Sequence, residues 1–404
     1  MEKTFINIKC ILVLCLCLTL TTGYACAEMT EISCGKVEYL HYQCTLPDGR
    51  LLLTGGTRRA ESGGDAAWLL CLNPDRSVSW EIISRKDGYT SAETATVLED
   101  GTVAVLMENY PEKRAVKFFT PEGKNARKKL DLKKKPGNVY TIGPSFLIFY
   151  DSESKDALDY RYKTFLFDWN GKEITRYDGL VMRDGYGYTV RNDEELVLYG
   201  QDTVYNSHAM MQKLDVLQDR VLWETVLEWQ LPGTDTAMID DALKTADGGY
   251  VAWLREGKPG DSYEWNYLLV KFDAEGRLLW TKDKTEYGRD GILFLYNGKI
   301  GILSEESPGI DSLRLIQWFD ADEKKLGTTE LRLHPDDFTV LRDYLEAEDP
   351  EEKRTTFVDQ IQFIPMEDGL WAMATCWAAL DLGEEGFSTI FDSQEIVLIR
   401  IPEL

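Results

Sequence analysis

Histidine is nearly missing from this chain. There are three in 404 residues, His41, His208 and His334, and none stands at metal-ligand spacing from a second histidine. No catalytic role is assigned to any of them. The sequence also lacks GxSxG, a phosphate-cradling glycine loop and HExxH, so the familiar nucleophile, nucleotide and zinc-protease signatures are absent. No motif calls for a cofactor or a metal ion. "DADEK" at Asp320 supplies only the first two ligands of a calcium loop. Past residue 27 no apolar run approaches the ~18 residues of a membrane-spanning helix. Positive charge is scarce as well: 45 Lys and Arg oppose 69 Asp and Glu, for a formal charge of −24. That excludes nucleic acid or an anionic membrane surface as the main partner, since both demand a basic footprint.

What is present begins with a leader. Lys3 and Lys9 precede the apolar core "ILVLCLCLTLTTG", and Ala25 and Ala27 put small residues where a signal peptidase reads them. Residues 1–27 are therefore expected to be a signal peptide, with secretion or residence in the cell envelope to follow. Membrane attachment would come only through a retained leader. Cleavage leaves Cys34, Cys44, Cys71 and Cys376, an even number that permits disulfides without identifying them. Cys71 and Cys376 lie in apolar runs, where buried free thiols are the simpler expectation. One basic stretch, "KNARKKLDLKKK" (124–135), interrupts the acidic chain. It reads as a solvated edge strand whose lysines discourage aggregation, with a polyanion dock as the alternative.

Repetition dominates the rest. "AAWLLCLNPD", "RAVKFFTPEG", "YKTFLFDWNG", "MMQKLDVLQD", "NYLLVKFDAEG" and "LRLIQWFDADE" each run an apolar strand into a polar turn. Their turn-entry residues, Asn73, Thr120, Asp168, Asp215, Asp273 and Asp320, are 47, 48, 47, 58 and 47 residues apart. "QEIVLIRIPEL" ends the chain as a seventh copy. Upstream of each copy lies a tighter hairpin. Five carry Asp-Gly or Asn-Gly between apolar runs, as in Asp48-Gly49 and Asn297-Gly298, where both residues tolerate positive φ. Each unit reads as four antiparallel strands. Such a unit cannot bury its faces alone, and radial stacking of repeats this long gives a β-propeller. Separate sandwich domains would need about 100 residues each.

The expected fold is all-β, a seven-bladed propeller in one domain over 28–404, with a helical insertion at about 335–353. The last copy stops after a third strand. The spare segment Glu28–Val37 is expected to supply its missing outer strand and so close the ring. Turns between first and second strands, and between third and fourth, are short and share one face. The opposite face is expected to carry long loops, among them "RRAESGGDA", "REGKPGDSYEW" and "WAALDLGEEGFSTIFDS". Binding residues are sought there first at Tyr344, Trp377, Phe387 and Phe391, then at Tyr263 and Trp265.

"LLVKFDAEGRLLW", preceded by "TADGGYVAWL", resembles the repeats of bacterial secreted β-propellers of the quinoprotein-like (PQQ-like) kind. The resemblance implies the fold. It does not imply the quinone, because the quinone dehydrogenases of that group look eight-bladed and carry catalytic and metal residues without a match here. The expected function is a noncatalytic, monomeric binding module for a glycan, peptide or partner protein. The alternatives are a carbohydrate-active lyase or hydrolase with carboxylates at the central funnel, and an envelope scaffold.

Overall fold

A computed structural model describes residues 29–31, 37–59, 64–84, 88–109, 113–132, 138–142, 147–152, 162–170, 172–178, 188–191, 195–202, 207–215, 218, 220–258, 264–287, 291–305, 313–332, 354–381 and 387–402. The leader, the expected helical insertion, Cys34, His334, Tyr263 and Tyr344 lie outside this set.

Among the described residues the strands form seven four-stranded antiparallel sheets. The first strand, β1 (Met29–Glu31), stands apart in sequence from its sheet. Sheet I comprises β2 (Val37–Thr45), β3 (Leu51–Arg59), β4 (Gly64–Leu72) and β5 (Val78–Ser84). Sheet II follows with β6 (Ser91–Val97), β7 (Val103–Asn109), β8 (Lys113–Phe119) and β9 (Asn125–Asp131). Sheet III contains β10 (Asn138–Ile142), β11 (Leu147–Ser152), β12 (Tyr162–Phe167) and β13 (Glu173–Asp178). Sheet IV contains β14 (Tyr188–Arg191), β15 (Glu195–Gln201), β16 (Ala209–Asp215) and β17 (Arg220–Leu227). Sheet V is β18 (Thr236–Lys244), β19 (Tyr250–Lys258), β20 (Glu264–Phe272) and β21 (Leu278–Asp283), and a 3-10 turn at Thr285–Tyr287 leaves it. Sheet VI is β22 (Ile292–Tyr296), β23 (Lys299–Glu305), β24 (Leu313–Phe319) and β25 (Lys325–Arg332). Sheet VII is β26 (Arg354–Met366), β27 (Gly369–Asp381) and β28 (Phe387–Ile401), with β1 paired to β28 through Met29↔Ile399 and Glu31↔Val397. Val37 already belongs to β2, so the paired N-terminal segment is shorter than the sequence suggested.

Among the described residues, sheets I, II, V, VI and VII bury both faces against their neighbours. Leu52, Leu69 and Cys71 of sheet I pack with Val103, Val105 and Met107 of sheet II. Tyr199 and Met211 of sheet IV meet Tyr250 and Ala252 of sheet V, whose other face packs Val251 and Trp253 against Ile300 and Ile302 of sheet VI. Sheet VI packs on sheet VII through Ile316, Ala372 and Val397. Leu53, Trp68 and Leu70 of sheet I share a core with Trp371, Met373 and Leu398 of sheet VII, so the last sheet abuts the first. This is a β-propeller arrangement. Burial on both faces explains why β4 reads "AAWLLCL" and not as an apolar–polar alternation.

Turn chemistry sets the repeat. Asp273 Oδ1 accepts from Glu275 N and Arg277 N at 3.0 and 2.8 Å, and Asp320 repeats this with Asp322 N and Lys324 N. The carboxylate of "DADEK" thus holds its own turn. Gly276 has φ +77°, and a Cβ there would come within 2.5 Å of the Trp223 ring of the preceding sheet. Trp223 Nε1 donates to Ala274 O at 3.1 Å. Trp80 uses the next turn in the same way, lying on Gly123 and donating to Pro121 O at 2.9 Å. The tryptophans of the outer strands therefore tie one sheet to the next.

Basic β9 is the outermost strand of sheet II, and its residues 125–129 are all exposed. Cys71 and Cys376 are buried, and burial pushes the Cys71 thiol up to about 11.

Candidate functional site: the bulged inner strands

The first strands of neighbouring sheets lie side by side, β2 with β6 and β6 with β10, and β14 with β18 and β18 with β22. In five sheets the first strand carries one extra residue. The pairing skips His41 between Leu40 and Tyr42, Glu93 between Ala92 and Thr94, and Tyr140 between Val139 and Thr141. It also skips Asp240 between Ile239 and Asp241, and Asp359 between Val358 and Gln360. A bulge re-aims its side chain away from the regular pleat. The residues before the bulges are packed away: Leu40 is 3% exposed, Ala92 and Ile239 0%. The bulged side chains of His41, Glu93 and Asp240 are 35%, 33% and 27% exposed. In sheets I, II and V the extra residue is thus the one that leaves the sheet-to-sheet core, and at all five bulges the residue type is ionisable.

A second position accompanies three of the bulges. Two residues above it the paired second strand presents Glu108 in sheet II, Arg255 in sheet V and Trp377 in sheet VII, opposite Ser91, Met238 and Phe357. In sheet V, Arg255 Nε lies 3.1 Å from Asp240 Oδ1, and its guanidinium stands 4.8 Å from the Trp265 ring centre. Next to the bulge, Tyr199 of sheet IV donates to Asp241 Oδ1 at 3.3 Å, while burial pushes the Asp241 carboxyl up to about 6. Buried Glu256 accepts from Gln230 N and Leu231 N at 2.7 and 2.9 Å, which anchors the connection between sheets IV and V.

Sheet II is built differently. Glu93 Oε2 lies 3.9 Å from His41 Nδ1, and the Ser91 hydroxyl donates to Glu93 Oε1. Glu108 is pushed up to about 7, first by burial and then by the neighbouring Glu93 charge. Arg114, with Nε 3.9 Å from Glu108 Oε1, opposes that shift. A carboxyl titrating near neutrality, beside a second carboxylate and an imidazole, can exchange protons or accept hydrogen bonds from a polar ligand. Among the described residues no three His, Cys, Asp or Glu side chains gather as a metal site.

The residues chosen from sequence fare unevenly. Tyr344 and Tyr263 fall outside the described set. Phe387 and Phe391 lie on β28, with Phe387 paired to Asp381. Trp377 occupies the position beside a bulge and is half-buried. Trp265 packs over Gly257, where a Cβ would meet its ring at 2.8 Å, and receives Arg255. The two differ in place: Trp377 holds the second-strand position that Arg255 holds in sheet V, and Trp265 lies on the third strand opposite Gly257.

The long loops need correction. "WAALDLGEEGFSTIFDS" is mostly strand: β27 runs to Asp381 and β28 begins at Phe387, with Ala379↔Thr389 and Leu380↔Ser388 paired. The alternating, β-branched "FSTIF" extends the hairpin past an irregularity between Trp377 and Ala379. In the same way β3 reaches Arg59 and β19 reaches Lys258. Sequence reading passed over His41, Glu93 and Asp240. The available signal was one polar residue breaking an apolar strand, as in "YLHYQ" and "MIDDAL".

No protein-family model and no curated protein matches the chain. Solved structures do. The β-propeller domain of the Trilobed protease from Pyrococcus furiosus is 10% identical over 88% of this chain and 96% of its own, with a TM-score of 0.49. Pyrococcus horikoshii acylaminoacyl peptidase is 12% identical, and the match covers 89% of this chain and 53% of that one at TM-score 0.49. Polysaccharide lyase Uly1 is 10% identical over 90% of both chains, TM-score 0.48. No activity is carried over from any of them.

Proposed function

We propose that this chain is an exported, monomeric seven-bladed propeller, closed by β1, that binds a polar ligand at the centre of its sheets. The observation that carries this reading is the recurrence of an ionisable residue at the bulge of five first strands, with the side chain partly exposed in sheets I, II and V. A repeat fold gains nothing in packing by re-aiming a polar residue at the same place in successive units. It gains a ring of polar groups facing one axis, suited to the hydroxyls of a glycan or the backbone and basic groups of a peptide. The excess of acid disfavours polyanions.

Glycan and peptide arrays with the secreted chain test the reading. Glu93→Gln and Asp240→Asn should each weaken binding tenfold or more while leaving the fold intact, and equal binding by both would refute it. Ring closure has a separate test. Truncation before Gly35 should lower the melting temperature, and an unchanged value would overturn the closing role of β1.

A second reading, a carbohydrate-active enzyme, is favoured by Glu108, whose titration near 7 beside Glu93 suits general acid–base work. Cleavage of a bound glycan, lost in Glu108→Gln with binding retained, would select it.

A further inference from the structure

At the junction of sheets I and VII a charged residue takes a turn position that glycine holds in sheets II and V; Glu323 does the same in sheet VI at φ +66°. Arg76 stands in the turn position that glycine fills at 123 and 276, and it adopts φ +69°. That backbone disfavours a side chain, and a strained residue persists only where its surroundings hold it. At Gly123 and Gly276 the space is taken by an indole from the preceding sheet. Here the preceding outer strand is β1, "MTE", which brings none. The Arg76 side chain instead crosses the junction. Its guanidinium stacks 3.7 Å from the Trp371 ring centre and pairs through Nη2 with Asp368. Asp368 in turn accepts from Trp371 Nε1 at 3.0 Å, and its backbone oxygen accepts from Arg400 at 2.7 Å.

Two further observations point to an occupant. A cavity of about 240 Å³ opens beside Arg76, walled by Pro47, Leu72, Pro74, Met366 and Leu398. Arg76 Nε is buried and has no hydrogen-bond partner. An unsatisfied buried donor is costly, and an apolar space of this size holds a ring-sized molecule. The charge of Arg76 is already met by Asp368, and Glu367 also borders the space. A carboxylate ligand is thus disfavoured.

We propose that this junction cavity binds an uncharged ligand with a ring-sized apolar body and one carbonyl or hydroxyl oxygen, which accepts a hydrogen bond from Arg76 Nε. The site sits among the short turns, away from the bulged residues, and does not depend on the central site.

Three probes of one ring size test it by saturation-transfer NMR and titration against the secreted chain: benzyl alcohol, toluene and benzoate. Saturable binding of benzyl alcohol is expected, with toluene at least fivefold weaker and benzoate weaker still. Arg76→Gly introduces the residue that sheets II and V carry at the equivalent turn and should abolish the preference for the alcohol over toluene. Arg76→Asn, which tolerates the left-handed backbone but is too short to reach the cavity, should do the same if the glycine variant is unstable. The proposal fails if benzyl alcohol does not bind saturably, if benzoate binds best, or if a folded Arg76 variant keeps the alcohol preference.

Discussion

In sheet II the bulged Glu93 neighbours a second carboxyl, Glu108; in sheet V the bulged Asp240 neighbours a guanidinium, Arg255. The two second-strand residues hold the same register, two positions beyond the bulge on the paired strand. Sheet V neutralises its bulged acid internally and stacks the cation on Trp265. Sheet II leaves two acids together with only a 3.9 Å approach from Arg114, and Glu108 responds by holding its proton. One backbone frame thus yields an ion pair in one sheet and a proton-exchanging pair in another. The difference teaches that function in a repeat fold is written at equivalent positions, by changing one residue against a constant background.

The comparison breaks most severely if sheet V is given the electrostatics of sheet II. Arg255→Glu places a further carboxyl beside Asp240 and Asp241 and removes their cation. Stability at pH 8 should fall by roughly 3 kcal/mol, as expected when a partly buried acid loses its partner. Part of that loss should return at pH 5, where the acids can protonate. Urea denaturation at the two pH values measures it. An equal loss at both would mean that Arg255 matters through its packing on Trp265 instead.

Glu108 supplies the converse. Its native value near 7 lies above the unfolded value of about 4.5, so the folded state holds the proton more tightly. That contribution to stability is complete below pH 4.5 and is lost as pH rises through 7. Glu108→Gln removes the dependence. The variant should match wild type at pH 4.5 and be more stable at pH 8, by on the order of 2–3 kcal/mol. A flat difference across this range would show that Glu108 ionises normally.

The sequence makes the strands legible because their period is enforced twice, by Asp-Gly hairpins and by turns that an aspartate caps. Asp273, Gly276 and Trp223 are needed for backbone and packing reasons, so they recur and can be counted. The bulges are not legible in that way. His41, Glu93 and Asp240 share no residue type, and a bulge leaves no spacing trace beyond a one-residue slip within a strand. Loop lengths were overread for a related reason. "FSTIF" has strand propensity, but glycine and acid around it resemble a loop, and only the pairing partner in β27 decides the matter. Trp265 and Trp377 are legible because large aromatics are conspicuous, and the structure sets them in different sheets, Trp265 against Arg255 and Trp377 opposite Phe357.

A smaller effect sharpens sheet V. Tyr199→Phe removes the hydroxyl that donates to Asp241. The loss should be about 1 kcal/mol at pH 8, where the acceptor is charged. It should shrink below pH 6 as Asp241, already raised to about 6 by burial, takes up its proton. A loss independent of pH would assign Tyr199 to packing alone.

The smallest effect is expected at His41, and it separates the two carboxyls of sheet II. The imidazole is half-exposed and 3.9 Å from Glu93, a pair worth no more than about 0.5 kcal/mol at the surface. His41→Gln should therefore leave the melting temperature nearly unchanged. Its influence should be seen in Glu108, which feels the Glu93 charge directly. With no imidazole beside Glu93, the Glu108 midpoint followed by carboxyl NMR should move upward. An unchanged midpoint would show that His41 does not reach the carboxyl pair, and that sheet II carries its proton without help from sheet I.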